Sequence, residues 1–112
     1  MNFPLDALEP AVLARAATWE RLGLEWRIRP VDPNHDKPVV ASEFESATWL
    51  GSVLVWISGE AELDAVRLAD DQAISKHYDP TAPAGLEALL DELEALLTTG
   101  RVPDAAMVGR LA

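Results

Sequence analysis

The sequence contains no cysteine. That excludes a disulfide framework and any thiolate metal site, and it fits a reducing compartment. Cations are scarce as well, with 9 Lys and Arg against 19 Asp and Glu, for a net charge of −10. A field of that sign repels nucleic-acid backbones and anionic lipid. It also speeds encounter with a basic partner. Apolar runs are short, and none approaches the roughly 18 residues of a membrane span. The first ten residues, MNFPLDALEP, have neither a basic nor a strongly apolar segment, so the reading is a cytoplasmic chain without a secretory signal. Motifs built on glycine or histidine are missing too. There is no P-loop, no dinucleotide-binding fingerprint, no zinc-protease helix and no nucleophile elbow.

What remains is a chain of 112 residues with 49% hydrophobic content and a mean hydropathy of +0.03. This length and composition suit one globular domain with a real core. We read residues 1–100 as that domain and 101–112 as a tail, either a short extra turn or disordered.

The helical signals sit at the two ends. Leu5, Leu8, Val12, Ala16 and Trp19 recur at helical spacing, which predicts a helix from Asp6 to Leu22. Asp6 and Glu9 have capping-box spacing, Pro10 falls in the first turn, and Gly23 supplies the stop. Leu86, Leu89, Leu90, Leu93, Leu96 and Leu97 form a single stripe, which predicts a second helix from Leu86 to Leu97. Thr81 reads as its N-cap, Pro83 as part of its first turn and Gly100 as its stop.

Between the helices the period changes to two. Leu24–Arg29 alternates cleanly, and Pro30–Pro38 reads as a loop. Strands follow at Val39–Phe44, Trp49–Ile57, after the Ser58-Gly59 turn, and around Ala73–Tyr78. The expected fold is α+β: a mostly antiparallel sheet of four or five strands, with both helices packed on one face and the other face open.

Hairpin register decides what that open face carries. An even-length loop at Ser58-Gly59 pairs Val55 with Glu62 and Val53 with Asp64, and puts Trp56, Leu54, Ala61 and Leu63 in the core. Trp49, Val53, Val55, Ile57, Glu60, Glu62 and Asp64 then share the open face, as an apolar strip beside carboxylates. An odd-length loop reverses the assignment. Trp19, Trp26 and Trp56 are read as core residues and Trp49 as exposed. Such a strip has the composition of a protein interface with a charged rim.

Catalytic readings are weak. His35 stands beside Asp36 in the loop without a placed nucleophile, and His77 sits on a strand near Tyr78 and Asp79. Glu60 and Glu62 lie about 7 Å apart along a strand, a separation glycosidases use, but nothing implies a pocket around them. Arg27 and Arg29 are read as neutralising acidic neighbours on their own sheet face. No catalytic, metal or cofactor residue is assigned, and the expected partner is a protein with a basic surface.

Several of these residues together carry a resemblance. Thr48-Trp49-Leu50-Gly51, Val55-Trp56 followed by Ser58-Gly59-Glu60, Glu62-Leu63-Asp64-Ala65, and His77-Tyr78 leading into the acidic helix at Leu86–Leu97 resemble the TriTu immunity proteins of bacteria. The resemblance covers about Glu43 to Leu97, with a looser match in the N-terminal helix and first strand, and leaves out the Pro-rich loop around His35 and the tail after Gly100. It implies a non-enzymatic inhibitor in interbacterial competition, as in type VI secretion. Its toxin would be an ADP-ribosyltransferase that modifies elongation factor Tu, blocked at its active or target-binding site. A second reading of the same features is an acidic adaptor or secretion chaperone that binds an effector without inhibiting it.

Overall fold

A computed structural model describes residues 2–110. Six strands form one antiparallel sheet in sequence order: β1 Glu25–Ile28, β2 Val39–Glu45, β3 Trp49–Trp56, β4 Ala61–Arg67, β5 Gln72–Tyr78 and β6 Met107–Arg110. The α+β class and antiparallel pairing match the sequence reading. The sheet has six strands in place of the four or five expected, because part of the C-terminal tail pairs with β5 as an edge strand. Four residues, Met-Val-Gly-Arg, are too few to show an alternation in sequence.

The N-terminal helix is interrupted. A single 3-10 turn at Leu5–Ala7 leads into α1, Leu8–Leu13, and a break at Ala14-Arg15 precedes α2, Ala16–Arg21. No side-chain cap forms at Asp6, so the capping box read from the sequence is not made. The break leaves the Val12 carbonyl to accept from the Trp19 indole Nε1 at 2.9 Å. It also lets Trp19 enter the core, fully buried and edge-on to Phe44 with ring centroids 5.0 Å apart. Helix α3, Gly85–Thr99, buries all six leucines of the stripe, each worth about 1.5–3 kcal/mol when removed from water. Ala84, not Thr81, precedes its first turn, and no side chain caps it.

Helices and sheet meet on one face. Phe44, Val40, Val53, Val55, Ala61, Leu63, Ala65 and Ile74 point into this core with Leu8, Val12 and the leucines of α3. The buried Ser42 hydroxyl donates to the Arg27 carbonyl at 3.1 Å, so it is satisfied. Charged groups clamp the layers at their margins. Arg15 reaches Glu87, Asp91 and Glu94 on α3 at 2.6, 2.9 and 2.6 Å. Lys76 and the Tyr78 hydroxyl both reach Glu92, at 2.7 and 2.9 Å.

The Tyr78 hydroxyl is held protonated well above the usual phenol range, first by burial and then by the Glu92 carboxylate to which it donates a hydrogen bond. A raised folded-state value means this contribution is complete below the unfolded pKa of about 10 and is lost as pH rises past it. Urea unfolding at pH 9 and pH 11 is expected to show a loss of stability. Tyr78→Phe should flatten that alkaline limb while Lys76 keeps its pair with Glu92. An unchanged alkaline loss in Tyr78→Phe would exclude Tyr78 as its source.

Candidate interaction face

The β3–β4 turn sets what the free face displays. Val55 lies opposite Ala61, Val53 opposite Leu63 and Ser52 opposite Asp64. The Trp56 amide donates to the Glu60 carbonyl at 2.9 Å, so Ile57, Ser58 and Gly59 form a three-residue loop. Gly59, at φ +95, takes the left-handed position that such a loop requires at its end. Ile57 is drawn out of the ladder: its amide donates to Pro38 O, and its carbonyl accepts from Phe3 N. The odd loop shifts β3 by one residue relative to the even-loop reading.

This corrects the placement of several residues. Trp49, Val53 and Val55 are buried in the core at 7%, 0% and 0% exposure. Trp56 and Leu54 take the free face instead. Glu62 and Asp64 lie on the free face as expected, half-buried, and Glu60 stands at its turn end, paired with Lys37 at 2.9 Å. Ile57 is half-buried in the loop. Of the tryptophans read as core, Trp19 is buried, Trp26 is half-buried against the core, and Trp56 is on the opposite side.

Cross-strand rows describe the free face. One runs Arg27, Glu43, Ser52, Asp64, Ser75, Met107. Its neighbour runs Glu25, Glu45, Leu50, Val66, Ala73, Gly109. A third runs Ala41, Leu54, Glu62, His77. Toward the β3–β4 turn lie Val39 and Trp56, with the Lys37 ammonium 5.7 Å from the Trp56 ring centre. The face is thus apolar along β3, with Leu50, Leu54 and Trp56, and acidic on either side. Leu50 is 42% exposed.

Small side chains in the first two rows leave two adjoining hollows. One, of about 480 Å³, lies among Glu25, Glu43, Glu45, Leu50, Ser52 and Asp64. The other, of about 400 Å³, lies among Asp64, Val66, Ala73, Ser75, Met107 and Gly109. Asp64 borders both.

The face carries Glu25, Glu43, Glu45, Glu60, Glu62 and Asp64 against Arg27, Arg29 and Lys37. Both arginines converge on Glu43, at 2.5 and 3.5 Å, as the sequence suggested. Glu62 accepts from the Ser75 hydroxyl at 3.2 Å. Among the described residues, Asp64, Glu25 and Glu45 have no side-chain hydrogen bond or ion pair.

The histidines stand apart from both hollows. His35 is at an exposed loop tip with φ +58 and follows Asn34 at φ +42. His77 is exposed on β5, with Nε2 3.0 Å from Asp79. Among the described residues, neither meets a nucleophile or a metal-ligand cluster.

The model of the family described as "Immunity protein TriTu" matches residues 10–95. The chain belongs to the TriTu immunity protein family. The match takes in α1 from Pro10, α2, strands β1 to β5 with the loop that holds His35, and α3 as far as Ala95, and so reaches further toward the N-terminus than the Glu43–Leu97 stretch. Neither a curated protein nor a solved structure matches the chain. For an immunity protein, an uncovered sheet face that is apolar at its centre and acidic around it has the make-up of a binding surface. Among the described residues, no helix is long and apolar enough to cross a membrane.

Proposed function

We propose that this immunity protein acts in the cytoplasm by binding a cognate secreted toxin one-to-one and covering the toxin's active or target-binding site. The expected toxin class is the one the family resemblance implies, an ADP-ribosyltransferase acting on elongation factor Tu. Family membership carries the toxin-neutralising role, and the free acidic-apolar sheet face supports binding as its means. Steering by net charge −10 would bring a basic toxin surface to this face. Leu50, Leu54 and Trp56 would then lose water against it, while Glu60, Glu62 and Asp64 pair with its cations. Trp49, Val53 and Val55 contribute from beneath, by holding the sheet.

Area is consistent with this role. Six strands spaced by about 4.8 Å, four to eight residues long, give a face of roughly 600 Å². A standard interface removes about 800 Å² of accessible surface per partner, and projecting side chains add to a flat footprint.

Co-expression with the toxin domain encoded beside this chain tests the reading. Growth rescue, a one-to-one complex on a sizing column, and loss of toxin-dependent ADP-ribosylation of elongation factor Tu are expected. A complex in which the toxin stays fully active would instead identify an adaptor or secretion chaperone. No rescue and no complex would refute neutralisation of that toxin.

A further inference from the structure

We infer that the hollowed half of the free face, around Asp64 on β4, receives a protruding basic segment of the toxin, with a Lys or Arg side chain seated between Leu50 and Asp64. This rests on the toxin-binding reading above and adds to it the chemistry of the contact. Three observations converge on this half. The hollow of about 480 Å³ has an apolar wall at Leu50 and Val66 and carboxylates at Glu25, Glu43, Glu45 and Asp64, with Arg27 as the one cation that lines it. Of the cations on the face, Arg27 and Arg29 are drawn to Glu43 at the β1–β2 side, and Lys37 is drawn to Glu60 at the turn end. The carboxylate at the inner margin, Asp64, is half-buried between Ser52 and Ser75 and has no internal counter-ion among the described residues.

The chemistry of a long basic side chain fits that arrangement. Its methylene stem packs on Leu50 and Val66, and its charged head meets Asp64, with Glu45 across the hollow. The Ser52 hydroxyl, beside Asp64 in the strand register, supplies a further acceptor for a multi-proton cation. Neutral apolar segments fit less well, because they would strip water from Asp64 without giving it a partner. The other half of the face differs: Glu60 is held by Lys37, and Trp56 lies beneath that same ammonium. Charge demand is therefore highest at Asp64.

The test measures affinity of the purified chain for its co-encoded toxin domain by titration calorimetry. Asp64→Asn keeps shape and removes one charge. Glu20→Gln, on an exposed position of α2, removes one charge from the helical side. Asp64→Asn is expected to weaken binding about 10- to 100-fold and to lower the salt dependence of affinity, while Glu20→Gln changes it less than about 2-fold. Leu50→Ala should lose about 5-fold, with its melting temperature nearly unchanged. Equal, small effects of Asp64→Asn and Glu20→Gln on a tight wild-type complex would overturn this inference and leave the toxin-binding role standing. A wild-type chain that does not bind the toxin would overturn both.

Discussion

Trp49→Ala is expected to unfold most of the protein's stability margin, whereas Trp56→Ala, seven residues later on the same strand, is expected to spare it and to cost binding instead. Trp49 is 7% exposed on the core side of β3, so removing its ring leaves a cavity that the surrounding core only partly fills. Such truncations cost about 3–5 kcal/mol. That is a large share of the roughly 5–15 kcal/mol available to a domain. At about 4–8 °C per kcal/mol for a chain near this size, the melting temperature should fall by about 12 °C or more. Trp56 is half-buried on the free face, with the Lys37 ammonium 5.7 Å from its ring centre. Its loss should cost about 1–2 kcal/mol, from a cation contact worth about 0.5–1 kcal/mol and from the part of the ring already out of water in the free chain. The same substitution removes an aromatic anchor from the proposed interface, and toxin affinity should fall at least about 10-fold. Circular dichroism melts and calorimetric titrations of the two variants decide the matter. If Trp56→Ala unfolds the chain and Trp49→Ala does not, the faces of β3 are reversed.

These two residues also show where the sequence is legible. In β4, Ala61, Leu63 and Ala65 alternate with Glu62 and Asp64, and the burial pattern follows that alternation. A carboxylate marks the wet face without ambiguity, because burying it unpaired is costly. Strand β3 carries no such mark. Trp49, Val53 and Val55 are apolar on one side, and Leu50, Leu54 and Trp56 are apolar on the other. Only the length of the turn decides between them, and Ser58-Gly59 suits a two-residue loop as well as the end of a three-residue one. The deciding interactions lie far away in sequence, where Phe3 and Pro38 pair with the backbone of Ile57. The β-branched residues of β3, Val53 and Val55, are both on the buried side, which is the one local hint in favour of the observed face.

The helices follow the same logic. Six leucines at helical spacing determine α3 almost residue by residue. The N-terminal segment has a correct apolar stripe but no residue that announces its break. Ala14 and Arg15 are both good helix formers. The interruption belongs to tertiary contacts, namely the Trp19 indole on the Val12 carbonyl and Arg15 reaching three carboxylates of α3. The edge strand β6 is invisible for a related reason, since its four residues take their form from β5.

Reversing the charge of the free face should abolish neutralisation without unfolding the chain. In a Glu62→Lys, Asp64→Lys double variant, two carboxylates become two ammonium groups, a change of four charge units at the centre of the face. Like charges set against each other across an interface cost several kcal/mol. At about 1.4 kcal/mol per decade, a penalty near 4 kcal/mol corresponds to about 1,000-fold in affinity. The internal loss is small: Glu62 forfeits one hydrogen bond from Ser75, and Asp64 has no side-chain partner among the described residues. Melting temperature should therefore stay within a few degrees of wild type. Kinetics separate steering from contact energy. For the wild type, raising salt from about 0.05 to about 0.5 M should slow association by about 10-fold or more and change dissociation little, because screening acts on the long-range field. The double variant should associate slowly at every salt concentration and fail to rescue growth beside the toxin. If it instead neutralises the toxin as wild type does, the acidic free face is not the binding surface, and the exposed sides of the helices become the place to look.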